Sequence, residues 1–345
     1  PPIEQMLAST WSTDLAYDYG KISGSENKAI SGNVQLGSQF DITRTAHFGR
    51  SKDQMGEDPF LLSRLAVSET EGIQDQNVIA TLKHFAVFAQ DSTPGGAVDV
   101  QVDEQTLHEL YLAPFEAAIH EADAASVMSS YNGVNGAWAS ASTELQLDIL
   151  RDEWGFDGFT VTDWGGNHAY TLDKGTDLEM PSASQNTQAA TEEKIANGEM
   201  TWDDVDEAVS HVLNAMGKVG YLYLVELDGK GYVKEEPGRT EPIKLPDTYA
   251  EQVDDGLLAE NQDIALEVAE KGAVLLKNDN ETLPLDASNS SVGMIGLGAV
   301  NPIAGGSGQE RSFGTLSRMV SPYDRMMEIA GEDANIEATA GLDIV

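Results

Sequence analysis

Along residues 1–220, short apolar runs alternate with stretches whose apolar positions recur every three or four residues. That alternation predicts β/α units around a parallel sheet. The expected strands are Asn33–Leu36, Asn77–Leu82, Ala125–Ser130, Phe159–Thr162 and Asp177–Pro181. Leu107, Leu110, Phe115, Ala118 and Ile119 form one helical face, which Pro114 is expected to kink or divide. Leu145, Ile149 and Leu150 form a second face behind a Ser142 or Thr143 cap. Val205, Ala208, Val209, Val212 and Met216 form a third, behind a capping box of Thr201 and Asp204.

The pattern changes after Gly220. Asp228-Gly229 between Tyr221–Val225 and Gly231–Val233 predicts a hairpin. Pro237, Gly238, Pro242 and Pro246 then mark an irregular linker. A second α/β unit is expected from about Asn261, with a helix bearing Ile264, Val268 and Ala269 and strands at Gly272–Leu276 and Ser291–Gly296. The predicted organisation is therefore a β/α domain over 1–220, a linker over 221–260 and the start of a second domain over 261–345. Five parallel strands are too few to close an eight-stranded barrel. Both ends read as cut, since the second unit stops abruptly at Gly341–Val345 and the chain opens on Pro1-Pro2-Ile3. A removed leader or a longer polypeptide is expected.

Charge narrows the function classes. The chain carries 58 acidic against 20 basic side chains, a net −38. A general affinity for nucleic acid needs Lys and Arg against phosphate, so that class is excluded, and anionic membranes are disfavoured. No run of about 18 apolar residues is present, so no membrane span is expected. The acidic surface suits a secreted or periplasmic protein better than a cytoplasmic one. With no cysteine, disulfides, thiolate metal sites and a cysteine nucleophile are excluded. The histidines show no metal-ligand spacing, and neither a metal nor a cofactor is expected. Gly296-Leu-Gly298 lacks the helix-opening glycine of a dinucleotide fingerprint, since Asn301 and Pro302 follow.

Polar groups gather at the predicted strand ends. Arg50 lies in the loop after the first strand, Lys83 and His84 follow the second, Tyr131 the third, and Asp163 with Trp164 the fourth. Parallel sheets bind ligands at that edge. A carboxylate, cations, donors and an aromatic ring suit a neutral polyhydroxylated ligand. The bland alternative is that Asp163 caps the segment after its strand and that Lys83-His84 is structural.

Longer stretches carry a resemblance. Lys83-His-Phe-Ala86, Ser126–Asn132 with Val134-Asn-Gly136, Trp154–Trp164 and Asp177–Pro181 resemble the family 3 glycoside hydrolases, and Gly272–Asp279 with Leu283-Pro-Leu285 resembles the start of that family's α/β sandwich. The resemblance covers nearly the whole chain. It implies an α/β fold: a (β/α)8-type, TIM-like barrel, incomplete here, followed by the start of an α/β sandwich. It implies a retaining β-glycosidase acting on a β-glucoside or oligosaccharide, with Asp163 as nucleophile. By the same resemblance Arg50, Lys83 and His84 hold sugar hydroxyls, Tyr131 sits close to the nucleophile and Trp164 shapes the sugar pocket. Glu57-Asp58-Pro59 matches a supporting turn.

Two family elements are missing. The barrel's first strands would precede Pro1, and the acid/base glutamate would follow Val345. Glu310, in the Gly305–Phe313 loop, is the nearest substitute, with a solvated loop residue as the alternative. The remainder of a longer polypeptide, or a homo-oligomer, is the expected partner, and the chain alone is expected to turn over weakly or not at all. Phe48-Gly-Arg-Ser-Lys-Asp53 departs from the family's Gly-Gly-Arg-Asn-Phe-Glu, so only the arginine transfers. β-Xylosidase and exo-glucanase activities remain open. The β-N-acetylglucosaminidase branch carries Pro-Gly-His where this chain has Ala86-Val-Phe88. A carbohydrate-binding fragment without turnover is the reading from another class.

Overall fold

The computed structural model describes residues 1–89, 98–222, 253–286, 291–301, 320–331 and 334–341. Among them, 1–222 and 255–273 form one compact unit, and those from 274 onward belong to a second. No helix of the described residues is long and apolar enough to cross a membrane.

The first unit is built on a four-stranded parallel sheet: β1 (Val34–Gln39), β2 (Ile79–Phe85), β3 (Ser126–Ser129) and β4 (Phe159–Thr162), hydrogen-bonded in that order. Adjacent order with parallel pairing requires a crossover after each strand, and right-handed crossovers by helices are the default. The Asp177–Pro181 run contributes one parallel bridge, Leu178 to Val161, rather than a full strand. Pro181 has no N–H to continue a ladder. This α/β arrangement is that of a TIM-like domain.

Helices cover the sheet. α1 (Glu4–Ala8) and α2 (Thr13–Ala29) precede β1, α3 (Pro59–Gln74) joins β1 to β2, and α4 (Ala113–Ala122) leads into β3. Asp58 starts α3: its carboxylate accepts from Phe60 N at 2.8 Å and Leu61 N at 2.9 Å, and Pro59 takes the first helical turn, where no N–H is needed. Pro114 marks a division of the expected helix into two segments. It falls in the first turn of α4, directly after a π-helical segment, Leu107–Leu112, so the missing N–H is absorbed where the ladder already changes pitch. One apolar cluster packs Phe40, Leu62, Leu65, Leu82, Phe115 and Val127; another packs Ile79, Met128, Phe159 and Val161 under Ala215 of α5 (Trp202–Lys218). Ser142 Oγ, not Thr143, accepts from Leu145 N, and Thr201 N donates to Asp204 at 2.6 Å as the capping box requires.

α2 and α3 approach closely because glycines remove side chains at the crossing. A Cβ on Gly20 would lie 2.3 Å from Glu69 O, and one on Gly72 would lie 2.1 Å from Tyr17 O.

The helix expected to open the second domain belongs to the first unit. α6 (Asp255–Gly272) buries Val268 in the larger cluster, and Asn261 Nδ2 donates to Glu26 Oε1 at 3.0 Å. A Cβ on Gly272 would meet Met6 O at 2.3 Å. In the second unit β5 (Ser291–Ile295) pairs in parallel with β6 (Asn335–Thr339). The strand expected at Gly272–Leu276 is absent. Gly272 ends α6, and Val274, Leu275 and Leu276 are exposed with no described strand beside them to take their backbone hydrogen bonds. The hairpin around Asp228-Gly229 and the proline linker lie outside the described residues.

Candidate active site

Parallel register places the strand ends side by side. Gln39 pairs with Lys83, Phe85 with Ser129, and Ser129 with Thr162. Whatever follows those positions must converge at one edge of the sheet. Lys83 and His84 lie inside β2 rather than after it, since the strand runs to Phe85 with a register shift between Leu82 and Phe85.

Asp163 follows β4 and is 3% exposed. One carboxylate oxygen, Oδ1, accepts from Trp164 N at 2.6 Å. The other, Oδ2, stands 3.2 Å from His84 Nε2, close enough for electrostatic attraction but not aligned as a hydrogen bond. Burial works to raise the Asp163 pKa. The His84 ring, the Trp164 N–H and the Tyr131 hydroxyl work against burial and prevail, leaving the carboxyl below its ordinary value. Asp163 is thus built to stay ionised. It does not sit as the simple cap that the bland reading offered; it faces His84 and interacts with Lys83.

Lys83 is 4% exposed. Burial and the neighbouring Arg50 charge pull its pKa down to about 8, against Glu4, Asp163 and Asp53, which favour the ammonium. Glu4 is pushed up chiefly by burial, with Lys83 opposing. Arg50 stands at the start of a short turn, its Nη2 donating to Gln39 Oε1 at 3.0 Å and its Nε 3.5 Å from Asp53 Oδ2. Tyr131 O–H donates to Trp164 O at 3.0 Å. Trp164 is 45% exposed beside a buried carboxylate, the disposition of a stacking platform. All six predicted residues that fall in the first unit are therefore brought to the same sheet edge. Glu310 lies outside the described residues.

Sequence reasoning missed several partners. Phe88 packs on the His84 ring at 4.5 Å and lies within 6.2 Å of the Tyr131 ring, and the Arg50 guanidinium stands 5.5 Å above it. Asp53 and Gln39 orient Arg50. Asp41 accepts two hydrogen bonds from His84. The signal for Gln39 and Asp41 was hidden by Gly37, which reads as a strand end. Gly37 instead sits in a β-bulge, so β1 continues to Gln39 and delivers Asp41 to the strand-end edge. Among the described residues, no three His, Asp or Glu side chains are grouped to hold a metal.

An ionised, buried carboxylate, flanked by His, Lys, Arg and an exposed Trp, sits at the C-terminal edge of a TIM-like sheet, a set of partners suited to a neutral polyhydroxylated ligand. The model of the glycosyl hydrolase family 3 N-terminal domain matches residues 1–215. The chain belongs to glycosyl hydrolase family 3. It is 32% identical over 338 residues to thermostable β-glucosidase B of Acetivibrio thermocellus, covering 97% of this chain and 40% of that protein. It is 31% identical over 348 residues to β-glucosidase B of Emericella nidulans, with 99% and 38% covered. Among solved structures, a Streptomyces venezuelae β-glucosidase in complex with D-glucose superposes with a TM-score of 0.82 at 29% identity, covering 98% of this chain and 42% of that one. β-Glucosidase 3B of Thermotoga neapolitana superposes at 0.80 and 29%, covering 97% and 44%. The family 3 chain thus spans about two-fifths of the length of the curated relatives it matches.

Proposed function

We propose that this family 3 chain carries the nucleophile and sugar-binding half of a retaining β-glucosidase, acting on terminal β-D-glucosyl residues. The observation that carries the reading is Asp163: buried, held ionised, and set between His84 and the exposed Trp164. In the reaction an Asp163 oxygen forms a bond to the anomeric carbon as the bond from that carbon to the leaving oxygen breaks. The leaving oxygen keeps the electron pair and takes a proton from a general acid, which retaining enzymes place about 5–5.5 Å from the nucleophile. Water then attacks the glycosyl ester, losing its proton to the same group acting as base, and Asp163 is released with the anomeric configuration retained. Lys83 and Arg50 suit donation to sugar hydroxyls, His84 offers Nε2 as a further hydrogen-bonding partner, and Trp164 suits the apolar face of the ring.

2,4-Dinitrophenyl β-D-glucoside tests the reading, because its leaving group departs without a general acid. The chain is expected to release a burst of dinitrophenolate stoichiometric with protein, and Asp163→Asn to release none. The β-xyloside and β-N-acetylglucosaminide should react more slowly. Glucose binding with no burst would instead identify a binding fragment, and a faster burst with the xyloside would move the substrate class.

A further inference from the structure

The ring of His84 lies between two carboxylates, and only one of them belongs to the proposed nucleophile. On the other side, Asp41 Oδ2 accepts from the His84 backbone N–H at 2.9 Å and lies 3.0 Å from His84 Nδ1. His84 is fully buried and the Asp41 side chain is 1% exposed, so water does not compete for either bond. A carboxylate has only acceptor oxygens, so Nδ1 must carry the proton in this contact. With Nδ1–H committed to Asp41, the ring cannot turn over without leaving a buried donor unpaired. Nε2 is then the nitrogen directed at Asp163, 3.2 Å from Oδ2.

We propose that Asp41 is a positioning residue: it keeps the proton on Nδ1 and fixes the rotation of His84, and thereby holds Nε2 at the reacting face of Asp163. Asp41 does not reach the sugar; it acts through the imidazole. One oxygen takes both bonds, so Asn at this position keeps an acceptor and loses only the charge, whereas Ala loses both. Phe88 packs against the ring and limits its tilt, and Asp41 sets which nitrogen faces where. The inference rests on the hydrolase reading for its consequence but not for its geometry, and the two fail separately.

Two readouts test it on the full chain. The first is the rate at which 2,4-dinitrophenyl 2-deoxy-2-fluoro-β-D-glucoside labels the protein. Asp41→Ala should slow labelling by about 10–100-fold, the loss expected of a hydrogen bond to a charged group, and Asp41→Asn by less. In a His84→Ala background, already slow, Asp41→Ala should add much less, because the ring it positions is gone and only the bond from the residue 84 backbone N–H remains to be lost. Labelling of Asp41→Ala at the wild-type rate, or an undiminished further loss in the His84→Ala background, would overturn the proposal. The second readout is 15N NMR of the histidine rings, with His84 assigned by its absence from His84→Gln. The wild type should show Nδ1 protonated and slowly exchanging, Asp41→Asn the same resonance shifted, and Asp41→Ala its loss. An unprotonated Nδ1 in the wild type overturns the proposal whatever the labelling does. A wild type that takes no label sinks the hydrolase reading instead, and the NMR still decides Asp41.

Discussion

Replacing Asp177 should strongly destabilise the first unit. Its carboxylate is a hub under β4. Oδ2 accepts from Thr160 N at 2.7 Å and from Thr160 Oγ1 at 3.1 Å, and Arg151 Nη2 donates to it at 2.7 Å. Oδ1 pairs with His211 Nδ1 at 2.9 Å. Arg151 also donates to Phe156 O and Gly158 O, so the hub locks the turn that feeds β4. The Arg151 and Asp177 side chains are 11% and 3% exposed, which leaves little solvent to screen the pair. Asp177→Ala strands a buried guanidinium and a strand N–H, and loss of one partner of a buried pair costs about 3–5 kcal/mol. Urea unfolding followed by tryptophan fluorescence reads this directly, since all five tryptophans lie in the first unit. Adding Arg151→Met should recover part of the loss by removing the unpaired charge. A cost below about 1 kcal/mol for Asp177→Ala, or a double variant worse than the sum of the singles, would refute the reasoning.

Other expectations concern the interior and the pH response. Burial, with Glu4 close by, raises the Glu69 pKa well above its ordinary 4.5. A raised folded-state value contributes stability below the unfolded pKa and loses it as pH rises, so Glu69 should weaken the wild type above pH about 4.5, its own share being at most about 1.4 kcal/mol per unit. Glu69→Gln should remove that contribution, leaving the share of Glu4, and be the more stable protein at pH 7, as urea midpoints at pH about 4.5 and 7 will show. Gly72→Ala should cost about 1–3 kcal/mol by overpacking α2 against α3, measured by thermal unfolding; an unchanged midpoint would deny the close crossing. Labelling by the fluoro-glucoside should stay flat down to the depressed Asp163 pKa and fall as pH passes about 8, where Lys83 loses its charge. Lys83→Met should be slower and lack that alkaline fall.

Much of this was legible in the chain. Phe159–Thr162 reads as a strand and is one, because β-branched and aromatic side chains fill a site buried on both faces. Its neighbours in the sheet align because they are parallel, and that alone turns residues scattered from Arg50 to Trp164 into one site. The errors have local causes. Gly37 imitates a strand end, though a bulge carries the chain past it. Asp177–Pro181 has a strand-like composition, but its acidic residues serve elsewhere: Asp177 anchors Thr160 and Arg151, and Glu179 accepts from Gln185 N and Asn186 N. Gly272–Leu276 is aliphatic enough for a strand, yet strands are made by partners, which pattern does not supply. Asp41 and Phe88 carry no spacing signal at all, since each acts on another site residue across the fold.

Attack of the Asp163 carboxylate on an anomeric carbon would leave a covalent mark whose position can be mapped. The chain should be incubated with 2,4-dinitrophenyl 2-deoxy-2-fluoro-β-D-glucoside, digested and mapped by mass spectrometry. One fluoroglucosyl group is expected on the peptide containing Asp163, and none in Asp163→Asn. An adduct on any other carboxylate, or reversible binding of the glycoside with Asp163 unmodified, would contradict that attack.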